Sequence, residues 1–450
     1  MPTHLIILAA GQGTRMNSDL PKVLHRIGAA PLLAHAMAAG RALEPERVVV
    51  VAGHEAEAVR KAALAENDSA EIVIQSEQLG TGHAVAQAAP LLAKAAGDAV
   101  VLYADTPFIR PETLGRMIEA RARFDVVVLG FNAADPDCYG RLITQGDSLE
   151  KIVEYKDATS KERAVTLCNS GLICAKVEVL FDLVAALGND NASGEYYLTD
   201  VVELARVRGL SAGVVLCDEA ETLGINTRAQ LAAAEAAFQS RARAEAMENG
   251  VTLTAPESLH FALDTFIGRD TVIGPNVVFG PGVTIESGAE IRAFCHLEGC
   301  HVSRGAQIGP FARLRPGAEL AEDVHVGNFV EIKNATIDEG AKINHLSYIG
   351  NASVGENTNI GAGTITCNYD GVLKHRTEIG ANAFIGSDTM LVAPVKIGAG
   401  AMTATGSVVT EDVAPGAMAV ARARQVTKAG FATKFFETLR AAKARKEGKS

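Results

Sequence analysis

Apolar residues follow two different rhythms along this chain of 450 residues. In the first half, short apolar runs recur at residues 5–9, 48–52, 72–75, 99–103, 125–130, 167–174 and 212–216, with helical patterns such as 32–43 and 82–95 between several of them. That alternation predicts an α/β layered domain around a mostly parallel, Rossmann-like sheet, placed here at residues 1–226. Residues 227–249 are rich in Ala, Gln, Glu and Arg and lack Pro and Gly, which predicts one long connecting helix.

From Ile267 the rhythm becomes a period of six. The register 267, 273, 279, 285, 291, 297 holds an apolar residue at every step, resumes from Val302 to Ile332, and shifts at Ile337, Val354 and Ile379. Ile/Val-Gly pairs begin at 267, 273, 308, 326, 349, 354, 360, 379, 385 and 397. This predicts a left-handed parallel β-helix of hexapeptide repeats within residues 250–450, the apolar residue pointing inward and the glycine permitting the tight corner. The polar stretch 367–378 breaks the register and is expected to project as a loop. The basic end, 440–450, is expected to fray.

Composition narrows the function. Hydrophobic residues make up 48% and charged residues 21%, the balance of a globular protein, and no apolar run approaches a membrane span. A net charge of −11 argues against nucleic acid as a partner, so anionic ligands must meet local basic clusters. The seven cysteines form no C-x-x-C pair, and the apolar start is too short for a signal peptide. A cytoplasmic location is expected.

Leu8-Ala9-Ala10-Gly11-Gln12-Gly13-Thr14-Arg15-Met16 follows the first apolar run. Glycines let backbone N–H groups approach a phosphate, and Arg15 and Lys22 add positive charge. A tight strand–helix turn explains the glycines too. Asp105 ends an apolar run, where α/β sheets place ligands, and is either a metal carboxylate or a helix cap. Farther on, Arg315 and Lys333 lie 18 residues apart and so stack on adjacent coils. Two stacked cations suit a shared anion such as a sugar phosphate; the other reading is two solvated surface charges.

The first motif, with Pro21-Lys22, Gln78-Leu79-Gly80-Thr81-Gly82-His83-Ala84, Tyr103-Ala104-Asp105, Tyr139-Gly140-Arg141 and Ile225-Asn226, resembles the sugar-1-phosphate nucleotidyltransferases. Joined to a hexapeptide β-helix, it resembles the bacterial bifunctional N-acetylglucosamine-1-phosphate uridylyltransferase/glucosamine-1-phosphate N-acetyltransferases. That resemblance covers nearly the whole chain. It implies acetyl transfer from acetyl-CoA to glucosamine-1-phosphate, then Mg²⁺-dependent uridylyl transfer from UTP with release of pyrophosphate, in a homotrimer.

The resemblance also implies roles. Leu8, Ala9, Ala10, Gly11, Gln75, Gly80 and Thr81 would hold the nucleotide. Tyr103, Ala104, Gly140, Glu154 and Asn169 would hold the sugar. Arg15 and Lys22 would act catalytically on the phosphates, and Asp105 and Asn226 would bind Mg²⁺. In the β-helix, Arg315, Lys333, Tyr348 and Asn359 would bind glucosamine-1-phosphate. His345, in N-H-L-S-Y, would be the catalytic base, since a neutral imidazole can accept the amine proton. Ala362, Asn368, Tyr369, Ser387, Thr405 and Arg422 would meet acetyl-CoA. Ala104, Ser170 and Thr405 depart from the expected Gly, Thr and Ala, which bears on sugar or metal geometry and on the acyl-donor groove.

The sequence admits three other readings. A nucleotidyltransferase for another sugar would use its β-helix only for regulation. A carbonic-anhydrase-like metalloenzyme would use His260, His296 and His301. A non-catalytic subunit would carry degraded motifs.

Overall fold

The structure, a computed structural model, describes residues 1–448. It divides into two compact units: Met1–Asn249 with Ala255–Phe266 and Val278–Val283, and Gly250–Thr254 with Ile267–Val277 and Thr284–Ser450.

The first unit is built on a sheet of β1 (Thr3–Ala9), β2 (Arg47–Ala52), β3 (Glu71–Ile74), β4 (Asp98–Tyr103), β5 (Val126–Asn132), β6 (Arg141–Gln145), β7 (Ser148–Val153), β8 (Leu167–Lys176) and β9 (Ala212–Leu216). Their order is β9-β5-β8-β4-β1-β2-β3, with the β6–β7 hairpin attached to β8. All seven predicted strands are present, and β8 alone among those seven runs antiparallel to its neighbours. Ile6, Val49 and Val101 enter one apolar layer and Leu5, Val50 and Val100 the other, so the central strands are covered on both faces.

Two sequence expectations are modified. The stretch 82–95 is not one helix but two short ones, Thr81–Ala86 and Ala89–Leu92, because Pro90 cannot continue the first. The hairpin β6–β7 was not anticipated.

The predicted long helix is Arg228–Glu248, opened by a capping box between Thr227 and Gln230. Its inner side ties down later chain. The Gln239 amide donates to the Phe261 carbonyl and accepts from the Phe261 N–H, both at 2.8 Å. Glu235 accepts from the Gly28 N–H at 2.9 Å, and Leu263 N–H donates to the Gly28 carbonyl. Gly28 has φ 52°, and a Cβ there would lie 2.3 Å from the Phe238 ring. Gln239→Ala strands two buried backbone groups of Phe261 and is expected to destabilise this unit by about 2–4 kcal/mol, read as a lowered unfolding temperature.

In the second unit, ten strands from Thr252–Leu253 to Met418–Ala419 stack in parallel as one face of the β-helix. Ile273, Ile291, Ile308, Val326, Ile343, Ile360 and Ile385 lie over one another along it. Strands such as Glu331–Ile337 turn a corner and pair on both sides of it, joining the other faces into a second sheet. The six-residue inward register is buried as expected from Ile273 onward, with Ile267 half-buried at its start.

Most glycines of the Ile/Val-Gly pairs have a different cause from the one expected. The corners that need positive φ are taken largely by Asn, Asp and other glycines, with Phe294, Phe311 and Phe329 stacked at one of them. Eight of the ten Ile/Val-Gly glycines instead sit where a Cβ would strike the next coil, for example 2.0 Å from Asn344 O at Gly327 and 2.5 Å from Ser387 N at Gly361; the others are Gly309, which does take a positive φ of 95°, and Gly350, which faces a side chain. Close approach between coils requires those eight.

The register-breaking loop is shorter than expected. Cys367 pairs with Val392, and Thr377 and Glu378 pair with Ala352 and Ser353, so the excursion lies between these strands. A Tyr369–Lys374 bridge closes it into a hairpin. The chain end is helical over Phe431–Lys446, not frayed, with no residue buried; Lys449 and Ser450 lie outside the described residues.

Candidate functional site

Two adjoining cavities open at the carboxyl ends of β1 and β4. The first, about 320 Å³, is lined by Leu8, Ala10, Gly11, Lys22, Gln75, Gly80, Thr81, Tyr103 and Asp105, and also by Val23, Gln78, Ala84 and Glu195. The second, about 660 Å³, shares Thr81, Tyr103 and Glu195 with it and adds Tyr139, Gly140, Glu154 and Asn169. Residues expected to hold a nucleotide and residues expected to hold a sugar therefore line neighbouring cavities, with Tyr103 between them.

Local chemistry fixes each part. Gly80 has φ 108°, and its carbonyl accepts from the Gln75 amide at 3.0 Å. The Gln78 amide donates to the Ala10 carbonyl at 2.8 Å, bracing the glycine loop; it was part of the quoted motif, but no role was read for it. Buried Arg141 holds the carbonyls of Asp137, at 3.0 Å, and Tyr139, which shapes the turn before Gly140. Gly140 then accepts from the Asn169 N–H at 2.8 Å. Thr199 Oγ1 donates to Glu154 at 3.2 Å, while burial pushes the Glu154 carboxyl above its ordinary range. Burial likewise pushes the Tyr103 phenol up.

The Lys22 ammonium bridges Asp105 Oδ2 and Asn226 Oδ1, the latter at 3.1 Å. These side chains come from three separate segments, and their two oxygens converge on one positive group. The pair is a hard-oxygen set of the kind Mg²⁺ takes. Arg15 stands exposed on the turn Thr14–Met16. Ala104 is fully buried in the apolar layer, and its N–H donates to the Leu8 carbonyl, so its methyl group faces the core rather than either cavity. Ala9 is likewise core.

On the β-helix, Leu314 pairs with Ile332, which sets Arg315 beside Lys333 on the next coil, as the 18-residue spacing implied. Arg315 pairs with Glu331 at 2.7 Å. Arg315, then Lys374 from the hairpin, holds the Lys333 ammonium below its ordinary range, the signature of crowded cations. His345 pairs in register with Asn328, whose Oδ1 lies 3.0 Å from His345 Nδ1. The Asn368 amide donates to Asn351 Oδ1 at 2.7 Å and reaches Tyr348 Oη at 3.5 Å. A Cβ at Gly350 would meet that hydroxyl at 2.3 Å, so glycine makes room for the ring.

Asn359 lies on the strand after that of His345, and Ala362 accepts from the Asp388 N–H. Ser387 and Thr405 lie on successive coils, and Arg422 passes within 4.0 Å of the Cβ position of Gly406. Asn328, Glu331 and Lys374 were not picked from sequence; for the first two, a polar residue one coil before a chosen one was the available signal, and for Lys374, in the hairpin, there was none.

Among the described residues no group of three or more His, Cys, Asp or Glu is arranged to hold a metal, and His301 has Glu286 and Glu319 at its ring nitrogens, at 3.2 and 3.6 Å. No helix is long and apolar enough to cross a membrane, among the described residues.

Family models match at residues 5–171 (MobA-like NTP transferase domain), 264–299 (bacterial transferase hexapeptide, six repeats) and 376–411 (hexapeptide repeat of succinyl-transferase). A bifunctional protein GlmU of Cereibacter sphaeroides is 75% identical over 445 residues, covering 99% of this chain and 98% of that protein. Those of Ruegeria sp. and Paracoccus denitrificans are 71% and 66% identical, covering 99% and 98% of this chain and the same shares of their own. A solved UDP-glucose pyrophosphorylase complexed with UDP-glucose aligns with 54% of the chain and 100% of itself, at 17% identity and a TM-score of 0.43. Full-length relatives of this kind disfavour a β-helix that is only regulatory. The chain belongs to the GlmU family, the bacterial bifunctional enzymes that unite N-acetylglucosamine-1-phosphate uridylyltransferase and glucosamine-1-phosphate N-acetyltransferase.

Proposed function

We propose that the paired cavities carry uridylyl transfer and the β-helix coils from Arg315 to Arg422 carry acetyl transfer, in the cytoplasm. The observation that carries the first assignment is the convergence of Asp105, Asn226 and Lys22 beside two adjoining cavities.

In this reading Gln75, Gly80 and Thr81 hold the uracil. Gly140, Glu154, Asn169 and Tyr103 hold N-acetylglucosamine-1-phosphate. A phosphate oxygen of the sugar attacks the α-phosphorus of UTP; the new P–O bond forms as the α–β bridge breaks and pyrophosphate leaves. The residues chiefly position and neutralise. Asp105 and Asn226 would hold Mg²⁺, which would offset polyphosphate charge. Lys22 turns from their oxygens to a phosphate, where Arg15 joins it.

Acetyl transfer starts from glucosamine-1-phosphate held by Arg315, Lys333, Tyr348 and Asn359. Its amine attacks the thioester carbonyl of acetyl-CoA, the C–N bond forms, the C–S bond breaks, and the thiolate of coenzyme A departs. His345 Nδ1–H donates to Asn328 Oδ1, which leaves Nε2 free to accept the amine proton. Asn368, Tyr369, Ala362, Ser387, Thr405 and Arg422 line the path of the acyl donor.

A homotrimer supplies the walls that one exposed prism face lacks, with the hairpin around Tyr369 reaching a neighbouring subunit. The test is incubation with glucosamine-1-phosphate, acetyl-CoA, UTP and Mg²⁺. UDP-N-acetylglucosamine is expected, and its absence with all four present refutes the reading.

A further inference from the structure

The loop after β1 presents two cations on two separate short turns. Arg15 rides on Thr14–Met16 and Lys22 opens Lys22–Leu24. The first turn is flanked by left-handed residues, Gly13 at φ 64° and Asn17 at φ 48°. Single turns of this kind have little stability of their own. What fixes the spacing between them comes from far along the chain.

Arg228 is the first residue of the long helix, two positions after Asn226. Its Nε donates to the Met16 carbonyl at 3.2 Å, at the end of the first turn. Its Nη1 donates to His25 Nδ1 at 3.1 Å, immediately after the second turn. His25 N–H in turn closes on the Lys22 carbonyl at 3.2 Å. Both anchor points are buried, Met16 at 1% and His25 at 6% exposure. Burial, and then Arg228 itself, holds the His25 imidazole below its ordinary pKa, which keeps Nδ1 an acceptor.

We propose that Arg228 is a positioning residue for uridylyl transfer: its guanidinium fork sets the spacing of the Arg15 and Lys22 turns and ties both to the segment bearing Asn226. The inference rests on the reading of this cleft as the UTP site. Arginine suits the task because its donors diverge in a rigid plane; a lysine ammonium at the end of a flexible stem reaches one anchor but not both at once. Through this contact the helix that follows Asn226 governs the geometry of the phosphate cations, although Arg228 itself lines neither cavity.

The experiment compares the full chain with its R228K and R228A variants. In both, the Mg–UTP dissociation constant by calorimetry should rise and kcat/KM for UTP should fall, by about 10- to 100-fold. KM for N-acetylglucosamine-1-phosphate should stay within about twofold, and acetyl transfer by the same chain should be unchanged. Added methylguanidinium should restore part of the loss in R228A, which a merely structural role would not allow. R228K covers the case in which R228A folds poorly. An unsubstituted chain that binds UTP, with an R228K variant that binds and turns over equally well, overturns the inference alone. An unsubstituted chain that fails to bind Mg–UTP overturns the reading of the cleft and this inference with it.

Discussion

Asp105→Ala is expected to lower uridylyl transfer by about 10²–10³-fold while acetyl transfer by the same chain stays unchanged. Asp105 supplies the only carboxylate of the Lys22–Asp105–Asn226 group, in which two oxygens face one cation. Without it, Asn226 alone offers a neutral oxygen, and a divalent ion loses the charge that holds it. Asp105→Asn keeps the shape and removes the charge, so it separates metal binding from packing: its activity should resemble that of the alanine variant. Retention of most uridylyl transfer in either variant would show that Asp105 is not a metal ligand. The check is pyrophosphate release at several Mg²⁺ concentrations, with excess metal expected to recover part of the Asn variant.

His345→Ala is expected to do the converse, lowering acetyl transfer by about 10²–10⁴-fold with uridylyl transfer intact. The exposed imidazole is held at Nδ1 by Asn328 from the coil before. Asn328→Ala should therefore cost less than removal of the base and should act on kcat more than on KM. Mixing His345→Ala with Tyr369→Ala subunits under conditions of chain exchange tests the trimer as well. If the hairpin serves a neighbour's base, mixed assemblies regain acetyl transfer that neither parent shows. Exchange proven without recovery refutes the shared site.

Much of this is legible in the sequence, for physical reasons. A six-residue period with an apolar residue at each step leaves little freedom in fold, and the 18-residue spacing of Arg315 and Lys333 translated directly into adjacency. The parallel sheet was legible because its central strands are apolar on both faces. The β6–β7 hairpin was not, since its strands are half exposed and one carries a buried arginine.

Contacts between distant segments leave no local signal. Gln239 with Phe261 and Arg228 with Met16 are each a polar side chain meeting an atom that only the fold brings near. The chain terminus failed in the other direction: basic composition suggested disorder, yet Ala, Lys, Arg, Glu and Leu are also good helix formers, and Phe431–Lys446 is helical.

The stacked coils also make the second unit a ruler. From Ile308 through Val326, Ile343, Ile360 and Ile385 to Thr403 there are five steps, and each advances the chain by about 4.8 Å, so Arg315 at one end and Thr405 at the other are about 24 Å apart along the axis. Distances on such a surface come in whole divisions. Lengthening a side chain or loop adjusts reach continuously, but the spacing between phosphate anchor, base and acyl-donor groove changes only by gain or loss of a complete coil. A lineage that gained one coil between Arg315 and His345 would have to find a longer substrate or a new base.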